Sequence, residues 1–298
     1  MGASRIKQIG IYVGKHFRLF KNEKGWKTII FAAIISVLIS SVLSSDMFTY
    51  DTATWSGFFA VVSACIWIGI FNSIQTICKE RAIIKREHRT GLHISSYVIS
   101  HLIYQAVICI VEAALLLVIT ALFLEYPSRA LLGSVYLEYF ITYFLVTYAA
   151  DILGLAVSSF VKSPATAMTV MPFVLIVQLI FSGALFTLNG PMQYVADLTI
   201  SKWGLNATCT SADYNNLEST EKAEMQKKFY DIVEDNNLPL TDDQVDELID
   251  DNFKPTKITR YKHTVSNLTK QWGILALHCL VYSIISIISL EFVDKDKR

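Results

Sequence analysis

The chain has 298 residues, of which 53% are hydrophobic and 17% charged, and its 26 basic residues balance its 26 acidic ones. With a mean hydropathy of +0.42 it is too apolar for an ordinary soluble domain, and without a basic surplus it gives no reason to expect nucleic acid as a partner. Four of the five cysteines lie in or beside apolar stretches, and none has the spacing of a metal site. We therefore expect an all-α protein that crosses a membrane several times.

Residues 1–26 combine basic side chains with apolar ones at helical spacing. The apolar positions are Ile6, Ile9, Val13, Phe17 and Phe20. This pattern predicts an amphipathic helix that lies in the membrane interface. A basic arm that only sets the orientation of the chain is the alternative.

Six apolar stretches reach the length of about 20 residues that a helix needs to cross a bilayer. They cover roughly residues 27–45, 54–78, 97–124, 133–160, 165–188 and 271–292. The third contains Glu112 and the fourth contains Asp151, and a carboxylate at such a depth is costly unless it faces the bundle interior or a polar cavity. We favour hydrogen bonds between helices for both, and a proton or cation relay is the alternative.

The charged run at residues 79–92 separates the second stretch from the third, and it predicts a short helix at a water boundary. Its charged pairs and its glycine are Glu80, Arg81, Arg86, Glu87 and Gly91. Together with the Ser95-x-Tyr97 that follows, they resemble the cytoplasmic coupling helix of ABC-2-type permeases, particularly the ABC exporter G subfamily and its bacterial relatives. The resemblance implies that this helix docks on a nucleotide-binding domain. A charged loop that only fixes the topology is the alternative.

A second resemblance to the same family follows the fifth stretch. It consists of Phe181-Ser182-Gly183, Leu185-Phe186, Pro191-Met192 and Trp203-Gly204. The resemblance implies a broken element at residues 189–204 that re-enters the membrane. It also implies that residues 1–26 form the connecting helix that precedes the first span of these permeases.

Residues 205–269 are polar and acidic, and they predict a small helical insert outside the membrane. One amphipathic segment begins near Thr220, and a capping box of Thr241 and Gln244 opens a second. Cys209 falls in this insert. Some exporters that this chain resembles have a disulfide between subunits in this loop, which implies that Cys209 could pair with its counterpart in a second copy. We favour a free thiol.

Charge asymmetry predicts the orientation. Six crossings place the N-terminus, residues 79–89, Lys162 and residues 295–298 on one side, where Lys and Arg are enriched. The positive-inside rule makes that side cytoplasmic, so the insert lies outside and residues 270–298 return to the cytoplasm. The sequence thus predicts a multi-pass protein of the cytoplasmic membrane with both termini inside.

The sequence contains no Walker A loop, H-E-x-x-H, G-x-S-x-G or paired-His motif, so we expect neither ATP hydrolysis nor covalent catalysis by this chain alone. The resemblance implies the permease subunit or domain of an ATP-driven exporter. Its partner ABC ATPase would bind ATP and Mg, this chain would bind no cofactor, and a second copy or a homologous permease would complete the assembly in membrane lipid.

The alternative function is a proton-coupled carrier or a membrane-embedded enzyme. It would use Glu112 and Asp151, together with His101 and His278. For the exporter, we expect an apolar or amphipathic substrate to pass between two copies, along the second and fifth spans. The residues on that path are Trp67, Phe71, Asn72, Gln75, Gln178 and Phe181, which lie at helical spacing on each span. Simple packing between helices is an equal alternative for them.

Overall fold

The computed structural model describes residues 4–186, 188, 190–235, 244–246, 248–249 and 257–292. Its α-helices are α1 (Arg5–Asn22), α2 (Trp26–Val42), α3 (Asp51–Ser73), α4 (Thr76–Arg89), α5 (Ile94–Phe123), α6 (Val135–Phe160), α7 (Pro164–Ile180), α8 (Met192–Asp197), α9 (Ile200–Ser211), α10 (Thr220–Asp235) and α11 (Val265–Glu291). Two 3-10 turns lie at Tyr214–Asn216 and Thr259–Tyr261. The predicted all-α class is confirmed for the described residues.

Four helical runs in the described chain are long and apolar enough to cross a membrane: Asp51–Arg89, which joins α3 to α4, and the helices α5, α6 and α11. The pair α1 and α2 meets the same criterion only across a bend of 69°. Helix α7 has 17 residues, or about 26 Å, which is shorter than a full crossing of about 30 Å. The structure thus has four or five candidate spans, and the sixth crossing stays a prediction.

The bend between α1 and α2 has a local cause. Lys24 adopts a left-handed backbone with φ of 58°, which ends the regular helix, and the Gly25 N–H bonds to the Phe20 carbonyl at 2.7 Å. Helix α1 therefore turns away from α2 and packs across the first turns of α5. The polar side chains Gln8 and His16 are buried in that contact. Residues 5–22 are therefore helical, and the interfacial position of residues 1–26 stays a prediction.

The bundle is built around a close crossing of α3 and α6. A Cβ atom at Gly69 would overlap the carbonyl oxygen of Thr147 and lie 2.9 Å from the backbone nitrogen of Asp151. From the other side, a Cβ at Gly154 would lie 2.5 Å from Ser73 Oγ. Small residues at such crossings let two helix backbones approach closely, and the resulting van der Waals packing holds membrane helices together.

Helix α9 differs from the sequence prediction, because it lies inside the bundle against α3, α6 and α11. Gly204 allows this contact, since a Cβ there would lie 2.8 Å from Val146 Cγ2 and 3.0 Å from Val62 Cγ1. Its polar residues are compatible with burial because their hydroxyls bond to the helix's own carbonyls, as Thr210 Oγ1 does to Asn206 O at 2.8 Å. The exposed insert therefore begins after Ser211 and not at residue 205.

Cys209 lies within this buried helix and is completely inaccessible to solvent. The predicted exposed position of Cys209 is therefore wrong. A disulfide to a second copy would require α9 to leave the bundle, so the free thiol is the state that this fold supports.

The insert is attached to the start of α3. Asp51 Oδ1 accepts hydrogen bonds from the backbone N–H and the hydroxyl of Thr220, at 2.9 and 2.8 Å, and so caps the first turn of α10. A short backbone pairing between Tyr50 and Glu218 adds to the attachment. The first predicted amphipathic segment thus forms α10. The predicted capping box at Thr241 lies outside the described residues.

Candidate functional site

The start of α4 is held by the end of α6. Helix α3 stops at Ser73, and α4 continues after a break at Ile74–Gln75. The hydroxyl of Ser158 accepts hydrogen bonds from the backbone N–H groups of Ile77 and Cys78, each at 3.1 Å. These N–H groups belong to the first turn of α4, which has no partners within its own helix. A side chain of α6 therefore fixes where α4 begins.

Arg81 makes the reciprocal contact. Its guanidinium donates to the carbonyl oxygens of Ser159 at 2.7 Å and Val161 at 3.5 Å. Carbonyl groups at a helix C-terminus lack partners and carry partial negative charge, so a cation there is favourable. The end of α6 and the start of α4 thus complete each other's backbone hydrogen bonds.

The two glutamates of α4 bind the helices on its other side. Glu80 accepts hydrogen bonds from Lys15 Nζ of α1 and from the Tyr97 hydroxyl of α5, both at 3.1 Å. Glu87 accepts one from the Tyr12 hydroxyl at 2.5 Å. Burial, followed by the neighbouring Glu87 carboxylate, raises the pKa of the Tyr12 hydroxyl, which keeps its proton and remains a donor.

The turn after α4 is bound to α1 by one glutamine. Gln8 Nε2 donates to the Gly91 carbonyl at 3.1 Å, and Gln8 Oε1 accepts from the backbone N–H of His93 at 3.0 Å. Gly91 has φ of 105°, a conformation that favours glycine over residues with a side chain. The predicted coupling residue Gly91 therefore shapes the turn that brings the chain into α5.

One face of α4 remains exposed. Its exposed residues are Lys79, Ala82, Ile83, Arg86 and Arg89. Their spacing of three and four places them along one side of the helix. Of the predicted coupling residues, Glu80, Arg81 and Glu87 are directed into the protein, whereas Arg86 lies on this outer face. The outer face carries three cations and Ile83, whose side chain is 39% exposed.

Sequence reasoning missed the partners of α4 on α1 and α6, because hydrogen bonds between positions 65 to 85 residues apart leave no pattern in one sequence.

Two histidines lie side by side in the same region. The rings of His16 on α1 and His101 on α5 are 3.9 Å apart and tilted by 38°. Burial lowers the pKa of His16 to about 4, so its imidazole is neutral at physiological pH. Within the described residues, His101 contacts aromatic rings and not Glu112.

The two predicted carboxylates are buried where α3, α5 and α6 meet. Glu112 Oε2 accepts a hydrogen bond from Asn72 Nδ2 of α3 at 2.7 Å, and Asp151 Oδ2 lies 3.5 Å from the Cys109 thiol of α5. Both contacts join different helices. The other oxygens, Glu112 Oε1 and Asp151 Oδ1, have no hydrogen-bond donor among the described protein groups.

The predicted path residues divide into two groups. Trp67 and Phe71 of α3 have ring centroids 6.0 Å apart, and Phe71 lies 6.1 Å from Phe31 of α2. Phe71 and Asn72 line a cavity of about 310 Å³ between α2 and α3. The place of these residues on a substrate path stays a prediction. Gln75 is half-buried at the break before α4.

Gln178 and Phe181 have a different role. Gln178 is buried, and its Oε1 accepts hydrogen bonds from the backbone N–H groups of Ile200 at 2.9 Å and Ser201 at 3.2 Å. It therefore caps the start of α9 from α7, and its predicted place on an open path is wrong. Phe181 is half-buried at the end of α7, and its carbonyl accepts from the Thr199 hydroxyl at 3.2 Å.

Comparison with known proteins identifies the family. Residues 7–211 match the ABC-2 type transporter family, and this range runs from the first turn of α1 to the end of α9 and includes α4. The chain is also 28% identical over 156 residues to the ABC transporter ATP-binding/permease protein Rv1747 of Mycobacterium tuberculosis. That alignment covers 51% of this chain and only 18% of the relative. Because the family match covers well over half of the chain, the protein belongs to the ABC-2 type transporter family, as a membrane permease.

Proposed function

We propose that this chain is the transmembrane subunit, or transmembrane domain, of an ATP-driven exporter. The observation that carries the proposal is the division of α4 into an inner face bound to three helices and an outer face that is exposed. A partner ABC ATPase binds the outer face and supplies ATP and Mg, and this chain binds no nucleotide itself. The related mycobacterial protein is named as an ATP-binding and permease protein, which supports an ATPase as the partner.

The contacts of α4 suggest how movement of the ATPase would reach the membrane. A displacement of the outer face acts on α6 through Ser158 and Arg81, and on α1 through Glu80 and Glu87. It acts on α3 directly, because α4 continues that helix after a two-residue break. Since α3 and α6 are in close backbone contact at Gly69, the two helices would move as one unit.

The proposed orientation places α4 in the cytoplasm. The start of α5 and the ends of α6 and α11 lie at the same end of the bundle, since Ile94, Leu155 and Leu290 pack in one cluster with Ile84 of α4. The basic residues of α1 and α4 agree with a cytoplasmic side. Six crossings of the cytoplasmic membrane complete this proposal, with the 17-residue helices α2 and α7 spanning a locally thinner bilayer.

The substrate is proposed to be apolar or amphipathic, and to pass between this chain and a second copy or a homologous permease. The aromatic group of Phe31, Trp67 and Phe71 supports an apolar contact surface, and Asn72 adds one polar group beside it. Because Gln178 is buried, we do not place it on the path. The proposed contact surface for the substrate therefore lies on α2 and α3.

The direct test is transport by the assembled complex. We expect the tagged chain, purified from native membranes, to bring with it a protein that hydrolyses ATP. Inside-out vesicles that contain the complex should accumulate an amphipathic fluorescent dye only with ATP and Mg, whereas a non-hydrolysable ATP analogue should give no sustained accumulation. Accumulation driven by a proton gradient without ATP would contradict the proposal.

Amide variants of the two carboxylates discriminate the alternative, a proton-coupled carrier or enzyme. Glu112→Gln and Asp151→Asn keep the shape and most hydrogen-bonding groups of each side chain while removing its titratable proton. For an ATP-driven exporter, we expect transport within about twofold of the unmodified protein, because neither carboxylate has to exchange a proton during transport. A twofold change corresponds to about 0.4 kcal/mol. A loss of about 100-fold in either variant, with ATP hydrolysis retained, would instead support a relay.

A further inference from the structure

A large, partly open cavity lies at the end of the bundle opposite α4. It has a volume of about 820 Å³ and is lined by residues 183–186 after α7, by α9, by the start of α11 and by the 3-10 turn at Thr259–Tyr261. A volume of this size holds a molecule as large as a typical drug. In the proposed orientation, the cavity faces the outer side of the membrane.

The lining has an apolar wall and a cationic wall. Ala184, Leu185 and Phe186 form the apolar wall, and Leu185 and Phe186 are more than half exposed. The cations are Lys202, Arg260 and Lys270. Lys202 is paired with Asp197 at 2.5 Å, whereas the described lining residues themselves include no carboxylate. The lining therefore combines positive charge with apolar surface.

A buried amide adds a hydrogen-bonding position to the cationic wall. Gln271 is 2% exposed, and its Nε2 donates to Thr210 Oγ1 at 3.2 Å and to the Arg260 carbonyl at 3.1 Å. Its Oε1 has no donor among the described protein groups. A buried acceptor without a donor is costly, and this oxygen is itself covered by protein atoms. A hydroxyl group of a ligand would therefore satisfy it once the Gln271 amide turns toward the cavity.

We propose that this cavity binds an anionic amphiphile, with a phosphate head that bears hydroxyl groups and with hydrocarbon chains. The phosphate contacts Arg260 and Lys270, because a guanidinium and an ammonium are strong donors to phosphate oxygens. A head-group hydroxyl donates to Gln271 Oε1, and the chains lie along Leu185 and Phe186. The inference goes beyond the proposed function, since binding at this site requires neither the ATPase nor transport.

Binding can be measured on the purified full-length chain in neutral detergent. The probe is phosphatidylglycerol with brominated acyl chains, because bromine near Trp203 and Trp55, which line the cavity, quenches their fluorescence. Phosphatidylcholine with the same brominated chains and inorganic phosphate are the comparison ligands. We expect saturable quenching by phosphatidylglycerol, with an affinity about tenfold above that for phosphatidylcholine, because only phosphatidylglycerol has a net negative charge that Arg260 and Lys270 attract.

The variants test the position of the site. The double variant Arg260→Gln with Lys270→Gln should remove the preference for phosphatidylglycerol. Lys262→Gln, at an exposed lysine outside the lining, should keep it. Ala184→Phe fills part of the cavity without changing its charge or adding a tryptophan to the fluorescence signal. It should strongly reduce saturable quenching, which separates loss of the site from misfolding of the charge variants.

Three results would overturn the proposal. They are equal quenching by both lipids, an unchanged preference in the double variant, and equal protection against thermal unfolding by inorganic phosphate alone, which would identify the ligand as a free anion. Because no ATPase is present in these measurements, their failure would leave the exporter proposal standing, and a failed transport test would leave this site standing.

Discussion

Arg86→Glu should reduce ATP-driven transport by about tenfold or more while leaving the amount of folded protein unchanged. Arg86 lies on the exposed face of α4, and among the described residues no hydrogen bond or ion pair of its side chain holds that helix. A reversed charge in a docking surface places like charges together, which costs several kcal/mol, and tenfold corresponds to about 1.4 kcal/mol. Coupling should be measured as substrate transported per ATP hydrolysed by the reconstituted complex.

The matched control is Arg18→Glu, which makes the same change at an exposed arginine on α1. If Arg18→Glu reduces coupling as strongly, the effect reflects net charge near the membrane and not docking of α4. Transport that is unchanged in Arg86→Glu would remove the basis for assigning the outer face to the ATPase.

Glu80 and Arg86 have different structural roles, although the sequence motif predicts that both are coupling residues. Glu80 binds Lys15 and Tyr97 inside the protein. A Glu80→Gln variant can still accept a hydrogen bond from Tyr97 but loses the ion pair with Lys15. We therefore expect it to weaken the attachment of α1, which a comparison of protease sensitivity near residue 24 would detect.

The long apolar stretches could be read from the sequence because hydropathy over 20 residues is a strong local signal. The predicted spans 97–124 and 133–160 correspond closely to α5 (Ile94–Phe123) and α6 (Val135–Phe160). The charged run at residues 79–92 predicts a short helix for a related reason, since such a run between two apolar ones must lie at a water boundary. The structure has the helix α4 (Thr76–Arg89) there, whereas its coupling role is implied only by the family resemblance and stays a proposal.

The burial of α9 could not be read in the same way. Residues 205–211 are mostly small and polar, a composition that also occurs in exposed loops. What decides their position is the close approach at Gly204 and the internal hydrogen bonds of Thr208 and Thr210. The burial of Gln178 could not be predicted either. Its hydrogen-bond partners at Ile200 and Ser201 are more than 20 residues away in the sequence.

Gly69→Val should prevent the bundle from forming a stable fold. Every Cβ at position 69 would overlap the backbone carbonyl of Thr147, and a backbone atom cannot move aside by a change of rotamer. Excess volume in a packed core costs about 1–3 kcal/mol and more where the backbone must shift. Because α3 and α6 would have to separate, we expect a cost at or above the upper end of that range.

Gly273→Val is the matched control, because Gly273 lies in the exposed face of α11 and a Cβ there meets no atom within 4 Å. Both variants place the same β-branched residue in a long apolar helix, so they share any change in helix propensity. The measurement is the fraction of monodisperse protein after detergent extraction, together with the melting temperature. Equal behaviour of the two variants would show that α3 and α6 do not cross at Gly69. Loss confined to Gly69→Val would support a close crossing of α3 and α6 at this glycine.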